Sequence, residues 1–281
     1  MRPLIRCAAL ILVVLPVAAL GIASPVLAQT TAPPPAAPQR LGAPEEKKTS
    51  DEAKFSVKHH VSFMASGGWD LDVLGGLTYG VVGTRNNNPI VIEPTTYTDV
   101  YVHTPMSEQV TVGFGVFSTL EVIAHVSQAR YRSSLAEVGT ESPQVSALMT
   151  MKMSDFHERT VAIGLRKYFA SGPSCRRYVN LLYGHEKIDA LSAVFTAEPP
   201  STDPNVGNLR IYNASTVPTI IMEFGVTFER PHYGMFVQAG ARYQKKLSRF
   251  DDDLAQFQLQ DANKTGIRLY IPLQFGVLFR L

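Results

Sequence analysis

From Ile267 to Leu281 the chain alternates without a break. The odd positions are Ile267, Leu269, Ile271, Leu273, Phe275, Val277, Phe279 and Leu281. The even positions are Arg268, Tyr270, Pro272, Gln274, Gly276, Leu278 and Arg280, which are mostly polar or small. Successive side chains of a strand point to opposite faces, so this segment reads as a strand with one wholly apolar face. No helical apolar period is found anywhere in residues 55–281.

The same period recurs seven times upstream. In the first of these strands Phe55, Val57, Val61, Phe63 and Ala65 oppose Ser56, Lys58, His60 and Ser62; in the fourth, Val161, Ile163 and Leu165 oppose Thr160, Gly164 and Arg166. Turns are short near Ser118, at Ser171-Gly172-Pro173-Ser174 and at Arg230-Pro231-His232. The connections at about 67–99, 133–155, 189–217 and 247–265 are long and polar. Short turns on one side and long loops on the other are the pattern of an outer-membrane barrel. Closing the eighth strand onto the first removes the edges. The expected fold is therefore all-β: an eight-stranded antiparallel transmembrane β-barrel over residues 55–281, carrying four exposed loops. A soluble β-sandwich or lipocalin-like barrel shares the alternation, with its apolar face turned inward. The second face separates the two. It is rich in Gly with single Arg, Glu, Tyr and Gln residues, whereas strands facing water carry dense Lys, Glu and Thr.

Composition narrows the function classes. The 26 basic and 24 acidic side chains leave a net charge of +2, no footprint for nucleic acid. Outside residues 7–28 the longest run without a charged residue is 12, as in Gln109–Leu120; a spanning helix needs about 20 apolar residues. The N-terminus reads as an export signal over residues 1–28, with Arg2 and Arg6 before the apolar Cys7–Ile22 and the small-residue site Val26-Leu27-Ala28. An uncleaved anchor helix is the alternative, and Pro16, Gly21 and the cleavage triplet favour removal. Residues 29–54, rich in Thr, Ala, Pro, Glu and Lys, cannot bury a core and are expected to form a disordered periplasmic tail. Only Cys175 would survive cleavage, which excludes an intramolecular disulfide and any cysteine metal cage.

Three stretches carry a likeness. Gly164-Leu165-Arg166-Lys167-Tyr168-Phe169 leads through a Gly-Pro turn to Arg177-Tyr178-Val179; Gly240-Ala241-Arg242-Tyr243 and the closing Ile271–Leu281 strand follow. Together with Thr98-Asp99-Val100-Tyr101 they resemble small porin-family, OmpA-type outer-membrane barrels of Gram-negative bacteria, over about residues 55–281. That family ends in an aromatic residue read by the barrel-assembly machinery; this chain ends in Leu281, with Phe279 the nearest aromatic on the same face. The resemblance implies an outer-membrane location, contact with outer-membrane lipid and with that machinery, and long loops able to meet host or cell-surface ligands. It covers anchors, adhesins, narrow channels and a few enzymes, so it fixes location better than activity.

The parity assigns Lys58, His60, Glu121, His125, Arg166, Glu186, Glu223, Arg242 and Arg268 to the lumen, beside bulky Tyr168, Tyr178, Leu182, Ile221, Phe236 and Tyr270. Aromatics such as Trp69, Phe169, Phe228 and Tyr233 fall near strand ends, where interfacial girdles occur. A register pairing Gly225 with Gly240 would set Glu223 opposite Arg242. These charges read either as a gate or ion path, or as a satisfied polar filling; the interior of eight strands has room for side chains only, which favours the filling. His125-Val126-Ser127 with Glu121 loosely matches a base beside a hydroxyl, as in some lipid-deacylating barrels. Its parity places it away from lipid, and no enzyme is expected. Asp251-Asp252-Asp253 lacks the Gly and distal Glu of a calcium loop. His59 and His60 point to opposite faces and cannot chelate one ion. No phosphate loop, zinc spacing or cofactor fingerprint is present, so neither metal nor cofactor is expected.

Overall fold

The computed structural model describes residues 55–101, 106–141, 147–169, 175–198, 205–230 and 232–281. The export signal, the 29–54 tail and the turn at Ser171–Ser174 lie outside the described residues. Sixteen strands are described, numbered β1 to β16 in chain order. Eight of them close a barrel: β1 (Val61–Leu74), β6 (Met106–Phe117), β7 (Leu120–Tyr131), β10 (Phe156–Phe169), β11 (Cys175–Ile188), β14 (Ser215–Glu229), β15 (Tyr233–Gln244) and β16 (Arg268–Arg280). Every neighbour is antiparallel, and β16 closes onto β1 with Phe63 opposite Phe279. No described helix is long and apolar enough to cross a membrane.

Alternation is realised strand by strand. On β10 Val161, Ile163 and Leu165 face outward, while Thr160, Ala162 and Arg166 are buried. On β16 Phe275, Val277 and Phe279 face outward against buried Gln274 and Leu278. Trp69, Phe169, Phe228 and Tyr233 stand on the outer face; Tyr168, Tyr178 and Tyr270 fill the inside. An apolar exterior around a polar interior is the arrangement a lipid surround requires, because unpaired polar groups are costly in hydrocarbon. Ile163 is 63% exposed in the middle of this band. Ile163→Arg is expected to destabilise folding into bilayers by about 2–4 kcal/mol, read by urea titration of the single tryptophan, Trp69. An unchanged midpoint would mean that this face does not meet lipid.

Two expectations are corrected at this level. Phe55 and Val57 do not extend the first strand's outward face. The chain turns at Lys58-His59, with His59 at φ 66°, and tucks Val57 and Phe55 against Met64, Tyr168 and Tyr178 inside the lower end. Lys58 and His60 are therefore exposed at the turn and are not lumen residues.

The long connections, expected as four polar loops, are folded. Three of them form hairpins: β3 (Val81–Arg85) with β4 (Asn88–Ile92), β8 (Leu135–Glu141) with β9 (Ala147–Met153), and β12 (Leu191–Ala197) with β13 (Asn205–Tyr212). The hairpins pair side by side, β4 with β8 and β9 with β12, in the order of the barrel strands below. At the β4–β8 seam Gly139 sits at φ +143°, and a Cβ there would lie 1.9 Å from the Val91 carbonyl oxygen, so only glycine admits this approach. Short β2 (Gly76–Thr78) and β5 (Thr95–Thr96) pair separately.

The fourth connection, 245–267, covers both edges of this six-stranded sheet. At β13, Tyr212 bridges to Arg249, the Phe250 amide donates to Ile211 O (3.1 Å) and the Arg210 amide to the Asp253 carboxylate (2.8 Å). At β3, the Thr84 amide donates to Phe257 O (2.9 Å). The result is a second storey closed on itself, around a dry core that includes Ile90, Tyr97, Met151, Phe195, Ile211 and Leu259. Tyr212 donates its hydroxyl to Leu77 O at 2.6 Å, and burial pushes that hydroxyl's pKa up to about 12.

Candidate functional site

The lumen of the lower storey is filled in layers, set by register. Arg166 on β10 lies between Glu121 on β7 and Asn180 on β11, and Asn180 lies opposite Glu223 on β14. Their side chains form a chain across the floor: Arg166 donates to Glu121 (3.2 Å) and to Asn180 Oδ1 (2.9 Å), and Asn180 Nδ2 donates to Glu223 (2.9 Å). Ser62 and Tyr168 also donate to Glu121. Tyr178 fills the adjoining space above Gly225, where a Cβ would lie 2.2 Å from its ring, and donates to Gln238 at 2.7 Å. Beneath, Phe55 lies under the Arg176 guanidinium, 3.6 Å from its ring centre, and Glu229 binds both Arg280 and Arg176.

One step up the same strands stand Ile123, Leu182 and Ile221, packed with Ala162 into a small apolar layer. Above it lies a second polar layer. Arg268 donates to Glu158 at 2.6 Å and binds Asp72, and the Tyr270 hydroxyl donates to the other Glu158 oxygen at 2.6 Å. Arg242 donates to Ser127 Oγ and Tyr270 (both 3.1 Å), and lies 3.9 Å from Glu158. Glu186 is buried beside Tyr270. The Arg268 guanidinium lies 4.3 Å from the Tyr131 ring centre and 4.2 Å from that of Tyr270. A buried charge in such a space requires partners and hydrogen bonds; Arg268, Arg242 and Glu158 have them in one another and in Asp72 and Tyr270, while Glu186 Oε1, Arg242 Nε and Arg268 Nη2 find none among the described residues.

Glu121, Arg166, Glu186, Glu223, Arg242 and Arg268 are thus all placed in the lumen, and Lys58 is not. They fall into two groups. Glu121, Arg166 and Glu223 form the lower layer; Glu186, Arg242 and Arg268 belong to the upper. The expected pairing of Glu223 with Arg242 is overturned: Glu223 lies opposite Gly240 and Arg242 opposite Ile221. The hairpin is tighter than that register assumed, because the Arg230 amide donates directly to Tyr233 O (2.8 Å), moving every pair by two residues. Asp70, Asp72 and Glu158 were not anticipated as lumen residues. The alternation that carries Ser62 and Met64 inward on β1 continues through Asp70 and Asp72, so continuing the parity would have found them.

His125 and Ser127 are both buried in the lumen and engaged separately: His125 Nδ1 meets Thr111 Oγ1 at 3.1 Å, while Ser127 accepts from Arg242. Asp253 holds the Arg210 amide, and Asp251 meets Arg249 and Asn263. Among the described residues no group of three or more acidic, His or Cys side chains could hold a metal ion.

A closed eight-stranded antiparallel barrel, apolar outside, polar within and with its short turns at one end, defines an outer-membrane β-barrel protein. No family model matches the chain, and no curated protein does. Solved structures of similar architecture include Ail, the attachment invasion locus protein of Yersinia pestis, at 13% identity and TM-score 0.37, covering 80% of this chain and 99% of that one. Neisserial surface protein A matches at 12% identity and TM-score 0.38, covering 78% and 95%. The outer membrane protein OprG from Pseudomonas aeruginosa matches at 10% identity and TM-score 0.41, covering 80% and 99%. At such identities and scores, activity has to be read from this chain's own residues.

Proposed function

We propose that the protein is a structural, surface-presenting anchor: the lower storey fixes it in the outer membrane, and the upper storey meets ligands outside the cell. The observation that carries this reading is the stacked filling of the lumen, from Phe55 through the Glu121–Arg166–Asn180–Glu223 chain and the Ile123–Leu182–Ile221 layer to the Arg268 cluster. An interior packed with side chains leaves no continuous water path, as the width of eight strands implies. Short turns would face the periplasm and the upper storey the exterior. Strand β16, with Phe279 outward, would present the assembly machinery with its recognition strand.

The competing reading is a narrow channel. Conductance in planar bilayers separates the two. Wild-type protein is expected to give little or no steady current, and so is Lys58→Gln, which alters only the exposed lower turn. A large, stable wild-type conductance would overturn the anchor and establish the channel.

A further inference from the structure

Glu186 is wholly buried on β11, within the upper polar layer of the lumen. Its strand partners are Thr160 on β10 and Val217 on β14, and Glu158 lies diagonally across the β10–β11 pair. Among the described residues its Oε1 has no hydrogen-bond partner, and its Oε2 has one contact, the Tyr270 hydroxyl at 3.4 Å. A phenolic hydroxyl has a single proton to give. Tyr270 gives it to Glu158 Oε1, 2.6 Å away. Arg242 Nη1 donates to the Tyr270 oxygen and to Ser127 (both 3.1 Å) and to Thr160 (3.5 Å), and not to Glu186. An ionised Glu186 would therefore be a buried carboxylate without a donor, facing an oxygen whose proton is already engaged. An isolated buried charge of that kind is far costlier than a neutral acid. A protonated Oε2 removes the conflict, because it donates to the lone pair that Tyr270 has left.

The charges of the layer agree with this arrangement. Asp70 and Asp72 face it from β1, Glu158 from β10, Arg242 from β15, and Arg268 and Tyr270 from β16. Strands β6, β7 and β14 offer uncharged Ser107, Ser127 and Thr219 at this level, while His125 lies lower on β7 against Thr111. Asp72 and Glu158 are bound to Arg268, and Arg242 lies 3.9 Å from Glu158; Asp70 and Glu186 pair with neither arginine. With every carboxyl ionised, four negative charges would face two positive ones. Carboxylates sharing one site on neighbouring strands repel each other, and one of them takes a proton instead. A proton on Glu186 leaves Glu158 as the anion between Arg242, Arg268 and Tyr270.

We propose that the upper layer of the lumen is a proton-binding site, in which Glu186 is held as a neutral carboxylic acid that donates to Tyr270 while Tyr270 donates to ionised Glu158. The proton comes from solvent as the barrel closes, since an unfolded glutamate is ionised above pH about 4.3. Folding thus takes up a proton at neutral pH. The sign follows: this contribution to stability is fully present below the unfolded value and declines as pH rises above it. Strongly alkaline conditions drive the proton off, set Glu186 against Glu158 and loosen the lumen directly beneath the upper storey.

The test compares the full wild-type chain with Glu186→Gln, both folded in lipid vesicles, with heat-modifiable migration reporting the closed barrel. The amide has the size of the neutral acid and keeps a donor for Tyr270, but binds no proton. At neutral pH the infrared difference between the two proteins should show the carbonyl band of a neutral carboxylic acid in wild type and its loss in the variant. Urea titrations give the second readout. The folding equilibrium constant of the variant relative to wild type is expected to rise about a hundredfold from pH 5 to pH 7, tenfold per unit for one proton. Loss of an ionised carboxylate band in place of the acid band, or a ratio that stays constant with pH, would overturn the proton site. Failure of Glu186→Gln to fold counts equally against it, because an amide reproduces the neutral acid and not the carboxylate.

Discussion

Arg268→Met is expected to lower the stability of the folded barrel by about 3–5 kcal/mol, the cost of leaving a buried charge partner unpaired. Arg268 is 1% exposed, and its guanidinium serves Glu158 and Asp72 and lies against the rings of Tyr131 and Tyr270. Methionine retains most of the side chain's length and packs against the rings, so the loss isolates the charge. Four carboxyls, Asp70, Asp72, Glu158 and Glu186, share this region with Arg242 and Arg268. Removing Arg268 takes the cation away from Glu158 and Asp72 and leaves Arg242 as the nearest one. The carboxylates then repel one another, and at least one must take up a proton or admit water. Urea unfolding in lipid vesicles at neutral pH measures the loss. Glu158→Gln in the Arg268→Met background should recover a good part of it, because the amide keeps the Tyr270 contact without the charge. A loss below about 1 kcal/mol, the range of exposed pairs, would show the cluster to be wet and screened. A double variant no better than the single one would remove Glu158 as the principal partner.

How the chain could be read from its sequence, and where reading failed, follows from one physical change along the strands. All eight barrel strands are legible, because lipid on one side and a polar lumen on the other impose an unbroken period of two. The failures begin where lipid gives way to water. On β10 the inward residues run from Arg166 and Thr160 through Glu158 to Phe156, turning from polar to aromatic. The outward residues run from Ile163 and Val161 to Arg159 and His157, turning from apolar to charged. β7 does the same, with Ser127, Ala129 and Tyr131 inward and Val126, Gln128 and Arg130 outward.

The backbone parity never changes; the meaning of each face does. Read as hydropathy alone, the apolar set jumps by one residue at this boundary and the strand seems to end. Glu158 was lost for this reason, and Asp70 and Asp72 because β1 continues into what reads as loop. The upper hairpins were lost because their strands are brief. Met149, Met151 and Met153 alternate, as do Ala193, Phe195 and Ala197, but each run spans at most seven residues between polar connections. The layers of the lumen were out of reach for a different cause. Pairing across a hairpin depends on turn length, and an error of two residues at Arg230 was enough to couple Glu223 to the wrong arginine.

The inversion gives the two storeys different sources of stability, and Phe195→Ala separates them. Phe195 lies on β12 opposite Met151 and Gly207, is 1% exposed, and belongs to the dry upper core. There water surrounds the sheet and burial of apolar surface drives folding, as in a soluble domain. Removing a buried phenylalanine ring typically costs about 3–5 kcal/mol, from lost burial and from the cavity left behind. Tyr131, Phe156, Ile188 and Val217 bring the upper ends of β7, β10, β11 and β14 into the same core, but the lipid-facing length of those strands lies below it. The lower storey's strands are held by closed hydrogen-bonded ladders in lipid and by the lumen pairs, and neither depends on Phe195. The expected outcome is therefore divided. In vesicles, the variant's upper hairpins should become sensitive to added protease and exchange their amide protons faster. The barrel should keep its heat-modifiable migration and its urea midpoint. Phe195→Leu, nearer in volume, should lose less than about 1.5 kcal/mol and stay protease-resistant. Loss of the barrel signal together with the upper storey would show one cooperative unit, which would contradict the division at the membrane boundary. Full protease resistance in Phe195→Ala would deny that the upper core holds the hairpins at all.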